Sequence, residues 1–318
     1  MAAPTNTNTT LVNIGNREDL ENKIYRVAPE ETPFISQIDR TEATAITHEY
    51  QLESLATPSA TNQLLEGDDV STLDAPNLTT RLGSLCQING KKYGVSGTQQ
   101  AVKSAGNSGS LTRQRVLKGL EARRDAELRA IGNYATVVES GATTRKMGGA
   151  LAALTSNTSK GAGGSDGGIS GSTWTAATNG TTRVLTEALV KAVLSSGFSN
   201  GAKPSIAYMG PTQKQEWSAF TGIASIRAEA AGKKMATIYG AADSYVSDFG
   251  VLTLVPHAYG LTRDVLGINP DFWALAVLRG WKTVPLSKTG DSDREEILAE
   301  HCLVARNEKA SFAIRDLS

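Results

Sequence analysis

The chain predicts an α+β fold, and three observations predict it. From Ala43 to about Val95 the residues read as a long, loose β-hairpin. Residues 112–139 carry apolar side chains at helical spacing. Beyond residue 181, short helices and strands alternate as in a compact α/β unit.

Residues 1–16 read as a flexible tail. Residues 17–28 place Leu20, Ile24 and Val27 on one helical face, with Glu18 and Asp19 in the first turn. Thr32-Pro33-Phe34-Ile35 then breaks that helix, because the residue before a proline is pushed out of the α region. The hairpin follows. Thr47 to Leu52 forms its outward strand, and Leu82 to Tyr93 its return, with Leu82, Ser84, Cys86 and Ile88 on alternate positions. Residues 54–79 between them are rich in Ala, Thr, Ser, Asn and Pro. A two-stranded ribbon is marginal in water, so it should dock on a partner.

The helix over 112–139 carries Leu117, Leu120, Arg124, Leu128, Ile131, Ala135 and Val138 on steps of three or four, with Arg123–Glu127 and Asp125–Arg129 as i,i+4 ion pairs. Ser140-Gly141 should end it. Residues 140–180 hold ten Gly and thirteen Ser/Thr and read as loop, with 161–168 as a linker. Residues 182–196 suggest a helix with Val184, Leu185, Ala188, Leu189, Ala192 and Val193 on one face, closed by Gly197. Ser205 to Met209 reads as a strand, and Pro211 opens a helix over 211–220. Gly250 to Pro256 and Trp273 to Leu278 are further strands, and 296–306 with 310–317 make a terminal hairpin around Asn307-Glu308-Lys309.

Bulk properties exclude several classes. With 318 residues there is room for one large domain or two ordinary ones. Lys+Arg and Asp+Glu are both 32, so average charge calls for neither nucleic acid nor an anionic membrane. The two cysteines, Cys86 and Cys302, are too few for a disulfide framework and read as buried free thiols in a reducing cytoplasm. Residues 1–10 lack the charged and apolar regions of a signal peptide, and no apolar run is long enough to span a bilayer. The protein is expected to be soluble.

Charge is uneven along the chain. Residues 41–80 carry seven Asp/Glu and no Lys or Arg, whereas residues 81–130 carry ten Lys/Arg and three Asp/Glu. The acids are Glu42, Glu49, Glu53, Glu66, Asp68, Asp69 and Asp74. The matching bases are Lys91, Lys92, Arg113, Arg115, Lys118, Arg123, Arg124 and Arg129. An acidic arm that cannot bury its own surface suits the basic surface of another copy. Both sets are therefore candidate inter-subunit residues. Glu121, Asp125 and Glu127, interleaved among the bases, weaken a nucleic-acid reading.

No catalytic, metal or cofactor site is expected. His48, His257 and His301 have no ligand-spaced partners, and neither HExxH nor CxxC occurs. His301 and Cys302 are neighbours on a strand and point to opposite faces. Gly83 to Lys91 lacks phosphate-loop spacing, and Asp248-Phe249-Gly250 is a turn before a strand.

The order of these segments resembles a tailed-bacteriophage major capsid protein of the Hong Kong 97 fold, in the branch called the SU-ten-like major head proteins. The resemblance spans most of residues 17–317. It is carried by Glu30-Glu31-Thr32-Pro33-Phe34, Glu66-Gly67-Asp68, Val95-Ser96-Gly97-Thr98, Arg145-Lys146-Met147-Gly148-Gly149, Ser247-Asp248-Phe249-Gly250 and Lys288-Thr289-Gly290-Asp291. It implies an N-terminal arm over 1–43, an extended loop over 44–96 and a peripheral domain over 97–180 containing a spine helix at 110–139. It further implies an axial domain over 181–268 and a peripheral return over 269–318. It also implies homo-oligomeric hexamers and pentamers closing an icosahedral shell around packaged double-stranded DNA. Its partners would be a portal protein, a separate scaffolding protein and a possible decoration protein, with no membrane. A bacterial encapsulin-like compartment is the first alternative, and an enzyme with its site in 181–268 the second.

Overall fold

The structure is a computed structural model and describes residues 26–29, 31–63, 66–67, 73–105, 109–220 and 244–318. In chain order the elements begin with α1 Pro33–Gln37, β1 Asp39–Glu42, β2 Thr47–Leu52, β3 Thr80–Leu85, β4 Gln87–Ser96, α2 Gly97–Ala101 and α3 Ser110–Ile131. They continue with α4 Ala150–Ala153, β5 Thr158–Ser159, β6 Gly168–Ser170, β7 Thr173–Thr175, α5 Glu187–Ser199, β8 Ile206–Met209 and α6 Pro211–Ser218. The last are β9 Ser244–Ser247, β10 Gly250–Pro256, β11 Val265–Ile268, β12 Trp273–Leu286, β13 Ser292–Ala305 and β14 Phe312–Ile314.

Two larger sheets organise the molecule. One is four-stranded, ordered β1-β12-β13-β4, and the other six-stranded, ordered β5-β14-β11-β8-β10-β9. Phe34, Trp174, Trp273, Met147 and Leu151 sit in one apolar core. Trp217, Tyr245, Leu252, Phe312 and the inward face of α5 form a second. The hairpin is a separate two-stranded ribbon, with Thr47 opposite Leu85 and Leu52 opposite Thr80. Its return strand ends at Leu85, and the chain then enters the four-stranded sheet as β4, against β13.

The long helix is shorter than its periodicity suggests, at 22 residues or about 33 Å. It ends at Gly132 because residues 133–137 are taken up elsewhere. The Asn133 amide exchanges 2.8 Å hydrogen bonds with both the carbonyl and the N–H of Ala177. Thr136 donates to Trp174 O, and Val137 bridges to Lys146. The buried stripe also differs from the leucine row, which is half-buried. Ala122, Ala126 and Ala130 lie innermost with Glu127 and Ile131, so small side chains let the helix approach the sheet. The i,i+4 pairs are not made. Glu127 faces the core, Asp125 binds Lys91, and Arg129 donates to the carbonyls of Met147 and Ala135.

Other differences have clear causes. The helix expected over 17–28 lies mostly outside the described residues, and 26–28 are not helical. Thr32-Pro33 opens α1 rather than only ending a helix, with Pro at its first turn. Helix α5 starts after Thr186, whose side chain caps it, and runs through Gly197 to Ser199. It buries Val190, Val193 and Leu194, leaving Ala188 and Ala192 exposed. Strand β12 continues to Leu286 past two register shifts that erase its alternation. No terminal hairpin forms. Both edges of β13 are already occupied, by β12 and β4, so β14 joins the other sheet between β5 and β11.

The glycine-rich stretch 161–168 is not a free linker, because Gly161, Gly164 and Gly167 stand close against neighbouring atoms. Asp316 accepts the N–H groups of Gly161 and Gly180 at 3.0 and 2.8 Å. A methyl on Gly161 would meet Thr181 O at 2.0 Å. Gly149 is equally confined: a Cβ there would stand 2.0 Å from Gly132 O at the end of α3. Gly149→Ala is expected to lower stability by about 2 kcal/mol or more, since backbone must move. The thermal unfolding midpoint of the variant checks this.

Candidate assembly surface

Most of the described acidic segment is exposed. Between β2 and β3, the described residues of 53–79 adopt no regular structure beyond a turn at Glu66-Gly67 and are exposed. Glu53, Glu66 and Asp74 are exposed there and form no ion pair among the described residues. Asp68 and Asp69 lie outside the described residues. Leu55, Leu73 and Leu78 are exposed beside them, at 88%, 86% and 79%. The two remaining acids sit differently. Glu42 is exposed on β1, and Glu49 binds Arg81 across the ribbon.

The basic set divides in two. Lys91 pairs with Asp125 at 2.5 Å, and Lys118 with Glu121 at 2.8 Å. Arg115 holds the carboxylate of Glu295 through Nε and Nη2, while Tyr93 donates to the same carboxylate. These bonds hold the Glu295 carboxyl below the usual carboxylate range, Arg115 being the larger cause. Arg129 is committed to backbone carbonyls and lies over the Tyr134 ring, and Arg124 lies over Tyr259. Lys92 keeps 73% of its side chain exposed, with Glu296 3.7 Å away. Arg113 and Arg123 have no ion pair among the described residues, and Arg123 is exposed. Outward-directed positive charge is therefore concentrated on Lys92, Arg113 and Arg123. Arg123 lines a cavity of about 290 Å³ with Arg40, Arg279 and Trp281.

A buried polar cluster holds the N-terminal arm. Helix α1 has no side-chain cap of its own, so its first-turn N–H groups need acceptors. Glu127 of α3 supplies both: Oε1 accepts from Phe34 N at 2.7 Å and Oε2 from Ile35 N at 2.9 Å. His257, just after β10, places Nε2 3.0 Å from Glu127 Oε1 and Nδ1 2.5 Å from Tyr259 O. Tyr259 in turn donates to Glu31 O. Both side chains of the Glu127–His257 pair are fully buried. Arm, long helix and six-stranded sheet thus meet at one carboxylate. Sequence reasoning missed this cluster. The signal was present, since Glu127 stands inside the apolar stripe, seven residues after Leu120 and four before Ile131.

A second buried carboxylate, Glu300 on β13, binds Arg145 and, at 2.8 Å, Arg279 Nε. This gives the Arg145 motif a structural role. Nearby His301 accepts from the Asn89 amide, and burial pushes its imidazole down to about 4. His48 is half-buried on the ribbon and His257 is in the cluster above. Among the described residues no three His, Cys, Asp or Glu gather as metal ligands, and no helix is long and apolar enough to cross a membrane.

The fold recurs in solved capsids. The chain is similar to the cyanophage A-1(L) capsid protein, with a TM-score of 0.69 at 10% identity over 97% of this chain and 98% of that one. For cyanophage Pam1 the capsid chain gives 0.61 at 14% identity, each chain covered in full. For phage G, solved with its decoration protein, the values are 0.55 and 11%, again over both whole chains. No curated protein matches. These likenesses show the Hong Kong 97 capsid fold. The model of the SU10 major capsid protein family matches residues 3–318, and the chain belongs to that family of tailed-phage major head proteins.

Proposed function

We propose that this major capsid protein builds hexamers and pentamers of an icosahedral head around double-stranded DNA, braced by the acidic hairpin of one subunit lying on the basic helix surface of its neighbour. The observation that carries this reading is the exposed tip itself. It presents Glu53, Glu66 and Asp74 beside three exposed leucines, with no ion pair among the described residues. Arg113, Arg123 and Lys92 offer the complementary charge. Each exposed pair contributes only about 0.2–1 kcal/mol. Repetition around a closed shell makes such contacts sufficient, and their individual weakness lets misplaced subunits leave.

The division of labour proposed with it follows the segments: arm 1–43, extended loop 44–96, peripheral domain 97–180 and 269–318, and axial domain 181–268. The long helix serves as the spine, over Ser110–Ile131 rather than 110–139. A separate scaffolding protein, a portal protein and a decoration protein are the proposed partners, with assembly in the host cytoplasm and no catalytic role. Near-neutral net charge suits a container, because a strongly cationic lining would retain DNA through counterion release.

Negative-stain electron microscopy beside size-exclusion chromatography tests the reading, on the chain expressed alone and with its scaffolding protein. Shells or capsomer rings in either preparation are expected. A monomer in both, at every salt concentration, would overturn it.

A further inference from the structure

Cys86 and Cys302 stand 216 positions apart in sequence, yet their sulfur atoms are 3.2 Å apart. Both are free thiols, and both are fully buried. The ladder between β4 and β13 ends with Gln87 opposite His301, which places Cys86 across from Cys302 one step further on. The Cys86 N–H turns away and donates to Ile46 O at 2.8 Å. Cys302 pairs on its other side with Ala276 of β12. The two cysteines therefore do not exchange ladder bonds. Such non-hydrogen-bonded cross-strand pairs bring Cα atoms to about 4.5 Å, within the span a disulfide bridges.

The position matters as much as the geometry. Cys86 is the single residue between β3 of the ribbon and β4 of the four-stranded sheet. It is the root from which the extended hairpin leaves the body of the molecule. Cys302 lies in the middle of that body, flanked by strands on both sides.

We propose that Cys86 and Cys302 form an oxidative modification site, a latent disulfide that fixes the root of the hairpin on β13. The chemistry needs a two-electron oxidant of the peroxide class. One thiol attacks hydrogen peroxide, the O–O bond breaks, and a sulfenic acid and one water form. The second thiol then attacks that sulfur, the S–S bond forms, and a second water leaves. Two thiol hydrogens are lost, and peroxide is the species reduced. Hydrogen bonding from Cys302 lowers the pKa of Cys86, while the bond to Cys86 and burial raise that of Cys302, which favours Cys86 as the attacking thiolate. Burial makes the reaction depend on local opening. A reducing cell interior keeps the dithiol, and oxidising surroundings close the bond.

The test uses the purified, folded full chain treated with hydrogen peroxide, then denatured without reductant and alkylated. The expected result is a faster-migrating monomer on a non-reducing gel, because a long covalent loop compacts the denatured chain. Both alkylatable thiols should be lost, dithiothreitol should restore them, and the thermal midpoint should rise by several degrees. Cys86→Ala and Cys302→Ala should each abolish the mobility shift. Peptide mapping of the wild-type chain reads the same bond without any variant, since the Cys86 and Cys302 peptides should appear joined. Two thiols still alkylatable after prolonged peroxide, sulfinic acids without a cross-link, or an equal shift in either single variant would overturn the proposal.

Discussion

Glu127→Ala is expected to cost about 3–5 kcal/mol of folding stability, the range for removing one partner of a buried polar pair. The substitution leaves three donors without their acceptor, the buried Phe34 N and His257 Nε2 and the half-buried Ile35 N. It also takes a negative charge from the N-terminal turn of α1, where the helix dipole favours one. Glu127→Gln keeps an oxygen for one of those donors and should cost roughly half as much or less, about 1–2 kcal/mol. Denaturant unfolding of the two variants, with midpoint and slope compared against wild type, checks both figures. The larger loss should be accompanied by release of the arm, seen as new proteolytic cleavage near residues 33–37. Equal stability of all three proteins would mean that the arm is held by Phe34 packing alone.

Acid should destabilise the fold through His301 in a defined window. The unfolded imidazole titrates at its ordinary 6.5, whereas the buried one titrates at about 4. Between those values the unfolded chain binds a proton that the folded chain does not. The contribution is therefore fully present above 6.5, falls as pH decreases and is lost by about 4. The span corresponds to about 3 kcal/mol. Structure gives the same sign, because neutral Nε2 accepts from the Asn89 amide and a protonated ring could not. His301→Gln retains an acceptor and should flatten the stability–pH curve across this window while changing little at pH 7. A variant with the wild-type slope would place the acid sensitivity elsewhere.

Legibility in the sequence depended on how local each signal was. Helix α6 with its leading proline, strand β10 and the outward strand of the hairpin were readable, since turn residues and alternation sit within a few positions of one another, whereas the expected return strand 82–93 divides at Cys86 between the ribbon and the four-stranded sheet. The end of the long helix was not, because Ala135 and Val138 continue its spacing while Asn133 and Thr136 are drawn into contacts with residues 174–177. Glycines at 161–168 looked like a linker, and only the Asp316 carboxylate and the nearby backbone show that they allow close packing. The exposure of Glu53, Glu66 and Asp74 was legible in the polar, loop-like composition around them. Which bases stay available was not, since Lys91, Arg115, Lys118 and Arg129 find partners within their own subunit, three of them through residues distant in sequence. The sulfur contact between Cys86 and Cys302 spans most of the chain and has no local signature.

The most direct test of mutual bracing is a charge swap read by electron microscopy of assembly products. One variant reverses Glu53, Glu66, Asp68, Asp69 and Asp74 to Lys, and a second reverses Lys92, Arg113 and Arg123 to Glu. Each should remain a folded subunit, by circular dichroism, and fail to form shells, while a chain carrying both sets should assemble again. Normal shells from either single set, or no recovery in the combined chain, would contradict the pairing of hairpin and helix surface.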